Sequence, residues 1–301
     1  MRVSKKLRSV VTALAVVVGA FAAAAGPGAP ASHAATRDGG TNWTALVGIE
    51  IVKKTGQINQ FSQQTVYCPS GKVAIGGGGE ASTGYPARRG HELSLVGSFP
   101  MGSGTQAFGW ASNARWDWAS QTPLTVTTYA ICAYMPTGYE VVGGAPTQVP
   151  SGQTIAMTCP AGKVAIGGGG EVRGPNTGLS KSYPAAASGS AQMNQWVVGG
   201  FDMASSTTNT TAYAICSAPV PDLTIARYNA ASESPLGGLL KCPTGKIVSG
   251  GGASGSGPRA SLVASRPAKA AETGSNDGWW VQATDDLSTS DIDLYVMCVN
   301  R

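Results

Sequence analysis

The chain has 301 residues, of which 12% are charged and 42 are glycine, with a formal net charge of +5. Charge is at about half its usual share and glycine at about twice its usual share. Four of the basic residues lie in the first 34 positions, where there is no acidic residue, so the remainder is near +1 and lacks the basic excess expected of a nucleic-acid-binding protein.

Residues 1–34 read as a secretory signal peptide. Arg2, Lys5, Lys6 and Arg8 precede an apolar run from Val10 to Ala25, and Ser32-His33-Ala34 offers small residues for cleavage after Ala34. No later stretch approaches the ~18 apolar residues of a membrane span, so none is expected in the mature chain. Six cysteines follow the signal, and an even number in an exported protein implies disulfides.

After an N-terminal segment, 35–47, the chain falls into three similar units: 48–135, 136–219 and 220–301. In the first, Ile51-Val52 starts a strand. Cys68-Pro69-Ser70-Gly71-Lys72 then predicts a tight turn with Pro second and Gly fourth. Val73-Ala74-Ile75 leads into Gly76 to Gly79, and Leu93, Leu95 and Gly97 continue an alternation. Ser98-Phe99-Pro100, Trp110 and the β-branched run into Tyr129-Ala130-Ile131-Cys132 complete the unit.

The second unit opens on Val141-Val142, and Thr154-Ile155-Ala156-Met157 alternates into Cys159-Pro160-Ala161-Gly162-Lys163. There Val164 and Ile166 are expected on one face and Ala165 on the other, before Gly167 to Gly170, Ser182-Tyr183-Pro184, Trp196 and Tyr213-Ala214-Ile215-Cys216. The third repeats the order with Cys242-Pro243-Thr244-Gly245-Lys246, Gly250 to Gly252, Ser265-Arg266-Pro267, Trp279-Trp280 and Tyr295-Val296-Met297-Cys298. Self-similarity at a fixed period marks a repeat architecture. The economical disulfide pairing is within units, Cys68–Cys132, Cys159–Cys216 and Cys242–Cys298, with exchange between neighbours as the alternative. No capped amphipathic helix longer than about ten residues is expected.

The glycine runs do not fit phosphate binding. A P-loop lysine follows its glycines and is itself followed by Ser or Thr, whereas Lys72, Lys163 and Lys246 precede theirs. Gly250, Gly252 and Gly255 match the dinucleotide fingerprint by spacing, but Ser256-Gly257-Pro258-Arg259 cannot open the required helix. Glycine inside a strand makes room for a close neighbour. Two neighbours are open: the tryptophan of the same repeat, or the sister repeats around a pseudo-threefold axis.

Catalytic residues are sparse. His91 is the one histidine after the signal, and it sits in the polar stretch Arg88-Arg89-Gly90-His91-Glu92 without a nucleophile elbow. Glu80 and Glu171 follow the glycines at one repeat position, where unit three has Ser254. They could serve a glycoside hydrolase or lyase only if brought about 5–10 Å apart. Asp285-Asp286 and Asp291-Ile292-Asp293 lack calcium-loop spacing and read as strand edges. No cofactor or metal is expected.

The aromatic residues are the stronger ligand candidates. Trp116 and Trp118 share one face of an extended segment, with Arg115 and Asp117 on the other, giving either a core pair or a sugar-stacking platform. Trp279 and Trp280 must point to opposite faces, leaving Trp280 available. Tyr85, Phe99, Tyr183 and Trp196 read as packing residues.

The Cys-Pro-x-Gly-Lys opening, the Ser-aromatic-Pro and Trp middle and the Tyr-x-x-Cys close resemble a disulfide repeat of secreted proteins from high-GC Gram-positive bacteria. The same units resemble the ends of bacterial collagen-like and tail-fibre proteins. That resemblance implies secretion and brings no assigned activity. Three glycine-rich β units also resemble, in architecture, the β-prism of vitelline membrane outer layer protein. Unit three departs at Ser249, Ala253 and Arg266, implying that it has lost what the others bind.

The expected fold is all-β, with three homologous repeats of about 80 residues and one disulfide each, packed around a threefold axis or as a string. The expected function is a secreted, non-enzymatic, lectin-like or cell-envelope adhesion module. Its partner would be a glycan, an envelope polymer or another extracellular protein. A structural wall protein and the glycosidase are the alternatives.

Overall fold

A computed structural model describes residues 43–59, 62–83, 93–116, 124–174, 176–230, 236–257, 260–274, 276–284 and 291–301. The proposed signal segment, Tyr85, His91, Asp117, Trp118 and Asp285-Asp286 lie outside these ranges.

The first repeat forms β1 (Glu50–Ile58), β2 (Gln63–Tyr67), β3 (Lys72–Ser82), β4 (Leu93–Ser103), β5 (Gln106–Trp116) and β6 (Leu124–Tyr134). The second forms β7 (Glu140–Gly143), β8 (Thr147–Pro150), β9 (Thr154–Thr158), β10 (Val164–Arg173), β11 (Thr177–Ala185), β12 (Gln195–Asp202) and β13 (Thr207–Ser217). The third forms β14 (Thr224–Ala230), β15 (Leu236–Lys241), β16 (Lys246–Gly255), β17 (Ser261–Ala268), the short helix α1 (Ala270–Thr273), β18 (Gly278–Thr284) and β19 (Ile292–Asn300).

Each sheet is shared by two repeats. The first sheet runs β1-β6-β3-β17-β18-β15, the second β2-β5-β4-β10-β13-β7, and the third β14-β19-β16-β11-β12-β9. The glycine strand of repeat one therefore pairs with repeat three, that of repeat two with repeat one, and that of repeat three with repeat two. These three seams close a ring, so the repeats are arranged around a pseudo-threefold axis and not as a string.

The glycine run makes this closure possible, and both neighbours foreseen for it are present at different positions. A Cβ on Gly77, Gly168 or Gly251 would lie 2.3–2.4 Å from Trp110, Trp196 or Trp279 of its own repeat. On Gly78, Gly169 or Gly252 it would strike the carbonyl oxygen of Ser265, Ser98 or Ser182 across the seam, at 2.1–2.3 Å. On Gly76 or Gly167 it would meet the backbone of the neighbouring glycine strand, at Ser249 O or Ile75 O.

The three tryptophans are buried in the core and each donates its indole N–H to the serine of Ser-x-Pro, Ser98, Ser182 or Ser265, at 2.8–3.0 Å. That serine thus satisfies the one polar atom of a buried indole. Each ring removes on the order of 200 Å² from water, worth about 5 kcal/mol at about 25 cal/mol/Å².

Disulfides join Cys68 to Cys132, Cys159 to Cys216 and Cys242 to Cys298, as the repeat pattern implies. Each connects the two sheets to which its repeat contributes. No helix of the described residues is long and apolar enough to cross a membrane.

Two local expectations are corrected. The turn hydrogen bond runs from Lys72 N to Pro69 O, and likewise from Lys163 to Pro160 and Lys246 to Pro243. The turn therefore starts at proline, one residue later than expected, and places Gly71, Gly162 and Gly245 third, at φ of 79° to 87°. A positive φ there is a requirement of type II geometry. The alternation of Val164, Ala165 and Ile166 also fails. The pairing of β10 with β13 skips Ile166 in a β-bulge, which interrupts the period of two, and all three residues are buried because the strand is covered on both faces.

Candidate functional site

Alternation along the strands assigns an inner and an outer face to every sheet. Trp279 is buried over Gly251, so its neighbour Trp280 faces outward from the first sheet, partly exposed. Pairing then sets out a row across that outer face. Lys53 is opposite Tyr129, Tyr129 opposite Gly78, Arg266 opposite Trp280, and Trp280 opposite Leu239. The seam places Arg266 beside Gly78, whose missing side chain lets the guanidinium reach over Tyr129, 5.4 Å from the ring centroid.

Arg266 is held by carboxylates from both repeats. Its Nε lies 2.8 Å from Glu80 Oε2, and Nη1 donates to Glu272 Oε2 at 3.0 Å and to Pro267 O at 3.2 Å. Glu272 stands on α1, and Tyr129 Oη donates to Glu80 Oε2 at 3.4 Å. Burial pushes the Tyr129 phenol up to about 12; Arg266 pulls it down and Glu80 raises it. The glutamates remain accessible, with side chains 33% and 41% exposed. Gln282 faces outward beside Ala264, in the row that contains Glu80.

The other two sheets carry equivalent rows with different chemistry. On the second, Phe99 stacks on Tyr213 with centroids 5.9 Å apart, and Ala111 takes the position of Trp280. On the third, Tyr183 stacks on Tyr295 at 5.1 Å, and Val197 takes that position. Arg227 covers Tyr295, 5.8 Å from its centroid, and pairs with Asp293 at 2.7 Å. Burial pushes the Tyr295 phenol up to about 12. Phe99 and Tyr183 are packing residues, as expected, and they pack at the seams, while the corresponding Arg266 is not an apolar plug.

The remaining candidates separate. Trp116 is buried, 8% exposed, and belongs to the core. Arg115 is buried and donates from Nε to Thr177 O. Of the two alternatives for Trp116, core or stacking platform, its ring takes the core one. Glu80 and Glu171 lie on the outer faces of two different sheets. Glu171 is buried and paired with Arg173 at 2.6 Å, so the two carboxyl groups do not flank a common cleft.

The lysine of Cys-Pro-x-Gly-Lys has a structural partner in each repeat. Lys72 bonds Gly48 O and Glu50, Lys163 bonds Glu140 at 2.5 Å, and Lys246 bonds Asp222 O at 2.5 Å. Each pins the lead-in segment of its own repeat.

A second feature is an open cavity of about 830 Å³ between the segment Trp43–Ile49 and Pro221, Ile247 and Asn300. Trp43, Val47, Tyr134 and Met135 are exposed in this region or beside it. Among the described residues no group of three or more potential metal ligands occurs. Compared with known proteins, the chain matches no family model, and no characterised protein matches it in sequence.

Proposed function

We propose that the protein is a secreted, non-enzymatic binding module that attaches to a glycan or cell-envelope polymer through the outer face of its first sheet. The observation that carries this reading is the grouping of Trp280, Arg266 and Glu80 there. Trp280 and Arg266 occupy positions where the other repeats have small, aliphatic or aromatic residues, and the fold sets these two departures opposite each other in one row. A partly exposed indole offers a flat apolar surface with a polar edge, and the carboxylates beside it can accept hydrogen bonds from hydroxyl groups. Three disulfides are consistent with an oxidising compartment. The separation of Glu80 from Glu171 supports binding over hydrolysis.

The test is a pull-down of residues 35–301, disulfides intact, on insoluble polysaccharides and whole cell walls. Binding is expected to be lost in Trp280→Ala and kept in Arg227→Gln, which alters the third sheet. Binding that survives Trp280→Ala would reject the site. The exposed apolar residues around Trp43 favour a second reading, a wall or matrix component that associates with itself. Concentration-dependent sedimentation without polymer binding would support it.

A further inference from the structure

The charge of Arg266 on the first sheet's outer face is countered within the site. Arg266 is answered by Glu80 on one side, at ion-pair distance from Nε, and by Glu272 on the other, with Nη1 donating to Glu272 and to Pro267 O. The other cation of the row, Lys53, stands 5.9 Å from the Tyr129 ring centroid. The carboxylates are the more accessible partners of Arg266, whose own side chain is 16% exposed.

Glu272 comes from α1, and among the described residues α1 is the helix of the chain. Repeat three therefore supplies three features the other faces lack: the guanidinium at the seam, the outward indole, and a helix that brings a second carboxylate to that guanidinium. A lone arginine at this place would make an anion site. Clamped between glutamates, its charge is countered and the exposed groups are hydrogen-bond acceptors beside an indole.

We infer that the ligand of this face is an uncharged sugar chain, stacked on Trp280 and hydrogen-bonded through its hydroxyl groups to Glu80, Glu272 and Gln282, and that the two glutamates exclude acidic polymers. This rests on the sheet-face reading above and adds the ligand class. An acidic chain would meet two carboxylates first and would have to displace both to reach the arginine.

Calorimetric titration of the mature chain with neutral hexasaccharides of glucose and of N-acetylglucosamine, polygalacturonate and poly(glycerol phosphate) tests this at low and high salt. Binding to a neutral hexasaccharide, little changed by salt, is expected, because no net charge is neutralised. Trp280→Ala should weaken it about tenfold and Trp280→Tyr less, as loss of an aromatic contact predicts. The double variant Glu80→Gln/Glu272→Gln frees the guanidinium and should gain salt-sensitive binding to the acidic polymers. That gain cannot arise from misfolding. Wild-type preference for an acidic polymer, weakened by salt, would overturn the ligand class while leaving the binding reading standing if Trp280→Ala abolishes it. Failure of wild type and double variant to bind any of the four probes would overturn both.

Discussion

Three successive glycines in each repeat answer to three different neighbours: the sister glycine strand, the repeat's own tryptophan, and the backbone across the seam. Each position therefore tolerates a methyl group differently. At Gly168 an added Cβ would sit 2.4 Å from Trp196 Cγ and from Tyr213 O, and neither can move without breaking the indole–Ser182 bond or the β10–β13 pairing. At Gly250 the closest atom is Met297 Sδ at 3.2 Å, the flexible part of a side chain. Gly168→Ala is expected to lower stability by about 3 kcal/mol and Gly250→Ala by about 1 kcal/mol or less, from the cost of overpacking a dense core. Denaturant midpoints of the two variants check this order, and equal midpoints would contradict it. The glycines and their spacing were legible as a demand for close approach. Which glycine meets which neighbour was not, because two of the three neighbours come from other repeats.

At the scale of strands and cross-links, the disulfides were the most legible feature and the bulges the least. One opening and one closing cysteine per repeat suffice to suggest the pairing. The skipped residues, Ile75, Ile166 and Ser249 in the glycine strands, leave no period-two signature, since β3, β10 and β16 are buried on both faces in this region. The turn was displaced by one residue for a related reason: proline at the second place of a type I turn and at the first of this one leave the same string of letters. The bridges close sequence separations of 64, 57 and 56 residues. Chain entropy depends only logarithmically on that length, so each should contribute about 4 kcal/mol. Replacing both cysteines of any one bridge by alanine is expected to lower the unfolding free energy by similar amounts in all three cases, read from denaturant titration. One bridge proving dispensable would show that its sheets are held together mainly by packing.

The whole molecule changes the meaning of the repeat. Sequence period suggests three units, each closing on its own disulfide, yet each repeat forms halves of two sheets and completes neither. The candidate site was hidden by the same arrangement. Glu80 and Trp280 were both legible as ligand candidates, but they are 200 residues apart, and it takes the seam between repeats one and three to bring them to one face with Arg266 between. Arg266, legible only as a departure from Ser-aromatic-Pro, becomes the centre of the cluster.

Each seam joins the glycine strand of one repeat to the Ser-x-Pro strand of the preceding member of the ring, so all three contacts are of one head-to-tail kind. A head-to-tail contact whose rotation closes produces a ring. An isolated second repeat, residues 136–219, carries both halves of the contact: Tyr213 beside its glycine strand, and Tyr183 in the place where a tyrosine pair already stacks at the third seam. Alone it would expose β10, β11 and the Trp196 pocket, too little core for a stable monomer. Oxidised and concentrated, it is expected to sediment as a trimer and to lose cooperative unfolding on dilution. A monomer that unfolds cooperatively at every concentration would mean that one repeat holds a complete core, and that ring closure is a consequence of covalent linkage and not of the seam itself.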